Sequence, residues 1–257
     1  MKYKHYVANY LLNPYHPLTI AVIGAGGTGS QVLTALGRMN YALKQLGYIG
    51  LQVKAYDGDI VTAANCGRQL FAQQEIGLNK ADVLVTKLNM FFGTAWESYP
   101  VMYDETSDKA NVIISCVDTI KSRLAIAKSF EHSNAGHGHD GSNVLYWLDF
   151  GNLVDRGQVV LGTPHKIEQP NGKKGCIAHL RTATEMFDFS KVNEKNNGPS
   201  CSLAEALSKQ DLFINSTLAN IGMALMWKMF TKGVLDIQGA YLNLDTMKVN
   251  PIKIEKS

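Results

Sequence analysis

The chain has only four cysteines, and Cys66, Cys116, Cys176 and Cys201 stand far apart with no CxxC pair among them. That spacing argues against a local zinc knuckle and against the disulfide framework of a small secreted domain, so reduced thiols and no structural zinc are expected. A dominant charge is also missing. Lys and Arg number 25 against 22 Asp and Glu, and a formal net charge of +3 is too mild and too scattered for a nucleic-acid groove. Long hydrophobic runs are absent too. The opening "MKYKHYVANYLLNPYHP" lacks a sustained apolar stretch before a small-residue cleavage site, and the late apolar run at 218–230 carries Asn220 and Lys228 and is too short to span a membrane. These absences predict a cytoplasmic protein with neither a nucleic-acid nor a membrane partner.

What is present is enough apolar material for a large core: 46% of 257 residues are hydrophobic, suiting one α/β domain with a modest insertion. "PLTIAVIG" is a short apolar run ending in glycine. The segment after it, "GTGSQVLTALGRMNYALKQLG", repeats apolar residues at helical spacing. "LQVKAYD", "NVIISCVD" and "NVLYWLDFG" read as further buried strands, with helices over "GLNKADVLVTKLNMFF" and "TIKSRLAIAKSFEH" between them. This alternation predicts a Rossmann-like, doubly wound, mostly parallel sheet with right-handed crossovers. Residues 163–202 are rich in Lys, Asn, Gly and Pro with little periodicity, and read as a long loop insertion within a single domain of 257 residues. Two helices, "SLAEALSKQ" and "DLFINSTLANIGMALMWKMF", are expected next, followed by one or two closing strands in "IQGAYLNLDTMKVNPIKI", an antiparallel C-terminal extension.

The chemistry concentrates in the first half. "GAGGTG" places Gly24, Gly26, Gly27 and Gly29 between the first strand and the first helix, where glycines permit a tight turn and an anionic phosphate can meet the free N–H groups of the helix end. Asp57 closes the second strand, from which a carboxylate reaches ribose hydroxyls in such folds; the alternative is a solvated turn acid, the reading preferred for Asp59. Up to this point a nicotinamide-dependent dehydrogenase fits equally well. Asn65 and Arg68, three apart, would present a carboxamide and a guanidinium to one side of a helical turn. Such a pair suits a polyphosphate: beyond the pyrophosphate held by the glycine turn, a triphosphate leaves charge to be neutralised by Arg68 and by Lys80 of "GLNKAD". Asp118, at the end of "NVIISCVD", stands where ligands collect on a parallel sheet; it could hold Mg²⁺ between phosphate oxygens, or cap the following helix, or both. The loop "HSNAGHGHDG" brings His132, His137, His139 and Asp140 close together in sequence, but glycine-spaced histidines lack helical ligand geometry, and a polar loop is the preferred reading.

GxGGxG, D-x-D, N-x-x-R-Q, G-x-x-K-A and a strand-ending Asp followed by an Arg occur in that order over residues 20–123. Together they resemble the adenylating domain shared by ThiF, MoeB and ubiquitin-activating enzymes. Within that superfamily "NPYHPLTIAVIGAGGTGSQ" and "PSCSLAEALSKQDLFIN" are most similar to the ThiF-family proteins of the bacterial PRTRC genetic system. The resemblance implies an ATP-dependent adenylyltransferase. Asp57 would hold the ribose, Asn65, Arg68 and Lys80 the phosphates, and Asp118 the Mg²⁺. The substrate implied is the C-terminal carboxylate of a small ubiquitin-like or sulfur-carrier protein ending in glycine, and the assembly implied is a homodimer. "PSCSL" is similar to the segment carrying the thioester cysteine of ubiquitin-activating enzymes, which would make Cys201 a further catalytic residue beside Arg68, Lys80 and Asp118. Ser202 followed by Glu205 is a capping-box pattern that would set Cys201 at a helix N-terminus and lower its thiol pKa; a small buried thiol is the alternative. The sequence departs from many relatives in lacking paired CxxC motifs and any arginine before Arg38. Two other readings stay open: a non-catalytic ATP-dependent binding module, and a nicotinamide oxidoreductase, which leaves Arg68, Lys80 and Asp118 without a joint role.

Overall fold

The computed structural model describes residues 2–130, 143–189, 204 and 210–256. Its strands are β1 (His5–Tyr6), β2 (Leu18–Ile23), β3 (Leu51–Tyr56), β4 (Glu97–Tyr99), β5 (Val112–Ser115), β6 (Tyr146–Asn152), β7 (Arg156–Gly162), β8 (Val234–Leu235), β9 (Ile237–Asn243) and β10 (Lys248–Lys253). The described helices are α1 (Asn9–Leu12), α2 (Gly27–Gln45), α3 (Lys80–Phe92), α4 (Ile120–Ser129), α5 (Ala183–Met186) and α6 (Ile214–Lys232), with one 3₁₀ turn at Gln73–Glu75. Eight strands form one sheet in the order β10-β9-β7-β6-β5-β2-β3-β4. From β6 to β4 every pairing is parallel, whereas β6/β7, β7/β9 and β9/β10 are antiparallel. The Rossmann-like sheet with an antiparallel C-terminal extension is therefore present.

Strand periodicity explains the layering. Ile20 and Val22 of β2 point into one apolar cluster with Leu33 of α2, Leu84 of α3 and Met226 of α6, while Ala21 and Ile23 point to the other with Ile126 of α4 and Trp147. Because both faces are covered, β2 and β5 read as unbroken apolar runs rather than alternating ones. At Gly222 an added Cβ would come within 2.3 Å of the Phe150 ring, so α6 lies close against β6 only because that position is bare.

Several elements differ from the sequence reading. Arg156–Gly162 is a full strand, β7, joined to β6 by a three-residue connection, and it reverses the sheet direction. "NVIISCVD" is strand only as far as Ser115; Cys116 N–H makes a last bond to the Ile23 carbonyl of β2, and the backbone bends at Asp118. The described part of the expected insertion packs as a strap. Thr163 N–H donates to the Leu180 carbonyl, Ile177 N–H to that of Lys4, and Ile167 and Leu180 are buried. One outer margin of the sheet is β10, with Pro251 opposite Ala240; the other is the three-residue β4. Among the described residues no helix is long and apolar enough to cross a membrane.

Candidate functional site

The glycine turn sits where β2, β3 and β5 end side by side. Gly24 N–H donates to the Tyr56 carbonyl and Cys116 N–H to that of Ile23, each at 2.8 Å, so three strand ends are stitched at one rim. Gly24 has φ of +90°, and a Cβ there would meet the Cys116 carbonyl oxygen at 2.7 Å; the position is closed to other residues on both counts. At Gly29 a Cβ would lie 1.8 Å from the Gly24 carbonyl oxygen, so the turn folds back onto its own helix. Gly26 is the N-cap of α2 and provides no side-chain cap, which leaves the first N–H groups of a 19-residue helix open toward the rim.

Asp57 follows β3 directly and is buried. Its Oδ2 accepts the Ala25 N–H at 2.6 Å and its Oδ1 the Asp59 N–H at 2.8 Å, so the carboxylate ties the second strand end to the glycine turn. Burial pushes the Asp57 carboxyl above the usual carboxylate range, and the Ala25 and Asp59 N–H groups and the Lys80 charge pull it back. Asn79 completes this corner. It caps α3 by accepting the Asp82 N–H at 3.1 Å, and its amide donates to the Asp57 and Asp59 carbonyls at 2.8 and 3.1 Å. Lys80 follows Asn79, its ammonium 2.9 Å from Asp59. Asp59, exposed as a turn acid would be, also pairs with Lys80.

The opening stretch of this corner, residues 62–69, is not a helical turn. Gly67 has φ of +83°, and Asn65 Oδ1 accepts from the Thr62 N–H at 2.8 Å and the Thr62 hydroxyl at 3.0 Å. The Asn65 side chain competes successfully for local backbone, as short polar side chains do, which leaves its amide nitrogen as the group free to meet a ligand. Arg68 is half-buried; its Nη1 donates to Gln210 Oε1, and its Nε is buried with no partner. Burial disfavours the Arg68 charge, and among the described residues no carboxylate offsets it. Beside it Gln69 is buried, with Oε1 unpartnered and 3.8 Å from where a Cβ on Gly26 would lie. Of the two orphaned polar atoms, Gln69 Oε1 lies beside the uncapped end of α2, and Arg68 Nε belongs to the adjoining residue.

Asp118 is exposed, three residues beyond β5, on the same rim. Thr119, not Asp118, caps α4, its hydroxyl accepting the Ser122 N–H at 3.2 Å. Beneath this loop lies a buried ion pair. Arg123 Nε donates to Asp149 at 3.1 and 3.2 Å, and its Nη2 donates to the Val117 and Phe150 carbonyls at 2.6 and 2.7 Å. Ser115 donates to Asp149 and accepts from Trp147 Nε1. Cys116 stands between the ion pair and the glycine turn, just past its strand rather than within it, and burial pushes its thiol up.

The structure thus brings Gly24, Gly26, Gly27, Gly29, Asp57, Asn65, Arg68, Lys80 and Asp118 to one rim. Cys201 and the histidine-rich loop at 132–140 lie outside the described residues. Among the described residues no group of three or more His, Cys, Asp or Glu could hold a metal ion. Residues to which the sequence reading gave no role are Gln69, Asn79, Arg123, Asp149, Gln210 and Asn215. Asn79 carried a signal, an N-cap residue before an acid in the first turn; the others meet only through tertiary packing.

A glycine turn opening an uncapped helix at the carboxyl rim of a parallel sheet, with a carboxylate ending the next strand, defines the Rossmann-like class of α/β folds. The comparisons narrow this. The model of the ThiF family matches residues 15–255, and the chain belongs to that family. Comparison with curated protein sequences returns no match. Among solved structures, E. coli MccB with ATP is similar at 14% identity and a TM-score of 0.61, over 97% of this chain and 66% of that one. MccB in complex with N-formylated MccA gives 16% identity and a TM-score of 0.61, over 97% and 67%. PaaA gives 15% identity and a TM-score of 0.59, over 96% and 66%. At these identities the likeness is one of fold, and the chain spans about two thirds of the length of these neighbours.

Proposed function

We propose that the protein is an ATP-dependent adenylyltransferase acting on the C-terminal carboxylate of a peptide or of a small ubiquitin-like or sulfur-carrier protein. The observation that carries this reading is Arg68, a half-buried cation with no carboxylate partner among the described residues and an unsatisfied Nε, beside an uncapped helix N-terminus. An anion there would satisfy both. Asp57 would take the ribose, the α2 N–H groups, Asn65, Arg68 and Lys80 the phosphates, and Asp118 a Mg²⁺ ion that spreads the phosphate charge.

The carboxylate oxygen of the substrate attacks the α-phosphorus, the bond to the bridging oxygen breaks, and pyrophosphate leaves with the acyl-adenylate in place. Two anions must approach, and Arg68, Lys80 and the helix end lower that repulsion. The nucleophile is already ionised, so no general base is needed; positioning and charge neutralisation suffice. E. coli MccB with ATP and MccB with MccA are neighbours in fold that lend support. A homodimeric assembly, cytoplasmic location and acyl transfer to Cys201 belong to the same proposal.

Labelled pyrophosphate should exchange into ATP when the purified protein is given Mg²⁺ and the partner, and exchange should fall at least tenfold in Arg68→Gln. A second reading, nucleotide holding without transfer, is favoured by the absence of arginine from residues 1–37, ahead of and through the glycine turn. Tight ATP binding with no exchange under saturating partner would select it.

A further inference from the structure

Arg68 is joined to the glycine turn by side chains from the far end of the chain. Its Nη1 donates to Gln210 Oε1, which also accepts Asn215 Nδ2 at 2.9 Å; Asn215 Oδ1 in turn accepts the Thr28 hydroxyl at 2.9 Å. The order of groups is forced. Arginine only donates, so Gln210 must present its oxygen; Asn215 must then present its nitrogen to Gln210 and its oxygen to Thr28. Asn215 is 5% exposed, at the second position of α6, and a Cβ on Gly27 would come within 2.5 Å of its amide nitrogen. Its carboxamide lies directly on the turn, in space left free by Gly27.

We propose that Asn215 is a positioning residue for Arg68: through Gln210 it holds the guanidinium over the open end of α2, so that the nucleotide's phosphates meet a cation already in place. The inference rests on the nucleotide site proposed above. Among the described residues Gln210 provides the one hydrogen bond at this guanidinium, and Asn215 holds the Gln210 oxygen that accepts it. An unpositioned arginine would have to be ordered at each binding event, losing affinity for the phosphates and none for the nucleoside.

The test is a double-mutant cycle on the full chain, with equilibrium binding of Mg²⁺-ATP and of adenosine to wild type, Asn215→Ala, Arg68→Gln and the double variant. Asn215→Ala should weaken ATP binding about tenfold, within the range known for coupled neighbours, and leave adenosine within about twofold. In the Arg68→Gln background the same change should cost less than about twofold, since its route of action is gone. Gln210→Ala, which sits at a less buried position, should repeat the pattern if Asn215→Ala folds poorly. Additive losses, an equal loss for adenosine, or ATP affinity unchanged in both Asn215→Ala and Gln210→Ala would overturn the positioning role alone. Wild type that fails to bind ATP, or Arg68→Gln that binds it as wild type does, would overturn the nucleotide site itself.

Discussion

Replacing Asp149 by leucine should be among the most damaging single changes in the protein, and a second change should repair the fold without repairing the site. Asp149 is 1% exposed and Arg123 7%, and the pair shares two contacts near 3 Å. Asp149→Leu removes the anion and leaves a buried guanidinium with only the Val117 and Phe150 carbonyls as partners among the described residues. Breaking a buried pair in this way costs about 3–5 kcal/mol, which for a chain of this size lowers the melting temperature by on the order of 10 °C. Arg123→Met added to Asp149→Leu replaces both charges by apolar groups of similar bulk, and such exchanges are often neutral, so most of the loss should return. The Val117 and Phe150 carbonyls nevertheless lose the Arg123 Nη2 donor in the double variant, so the loop carrying Asp118 is left without its anchor. Thermal denaturation and ATP binding, measured on the same three proteins, read the two effects separately. A single variant within about 1 kcal/mol of wild type, or a double variant no more stable than the single, would refute the reasoning.

Gly29→Ala puts a Cβ 1.8 Å from the Gly24 carbonyl oxygen, so the backbone itself must move, whereas an added Cβ at Gly47 meets nothing within 4 Å and faces only the strain of φ +89°. Denaturant midpoints should show a loss of several kcal/mol for the first and about 1 for the second; equal losses would contradict the packing described. His5 is buried and held below its ordinary value of 6.5 by burial, with Nδ1 2.7 Å from the Ile177 carbonyl and Nε2 2.9 Å from the Tyr146 hydroxyl. The unfolded chain takes up a proton that the folded one refuses, so this contribution is whole above the ordinary pKa and is lost as pH falls through the folded one. His5→Gln should therefore flatten the decline in stability below about pH 6.5, and parallel profiles for the two proteins would disprove it. Cys116 should resist alkylation in the native protein at pH 8 and react on unfolding, read by mass spectrometry of its peptide, because burial raises its thiol pKa.

Much of the candidate site was legible because its residues lie close to strand ends that announce themselves. Residues 18–23 and 112–115 are buried on both faces, so they read as apolar runs, and the glycines and acids that follow them mark the rim. β7 was not legible for the opposite reason. The Gly151-Asn152 pair lies within β6 and Gly157 within β7, while the connection Leu153–Asp155 holds neither residue type, so the turn signals do not fall where the chain reverses. Residues 62–69 take a geometry other than the expected helical turn, since spacing alone cannot reveal that Gly67 adopts positive φ or that Asn65 turns back on Thr62. The links from Arg68 to Gln210 and from Thr28 to Asn215 span 142 and 187 residues, a separation that only folding closes.

Pro251 has no amide hydrogen to offer, and it lies on the outermost strand of the extension, while the opposite margin ends after the three residues of Glu97–Tyr99. Both features blunt these margins as templates for main-chain pairing with a foreign extended segment. Side chains, rather than an open main-chain ladder, are what these two margins of the sheet offer to an approaching macromolecule, and the same two terminations work against edge-to-edge association.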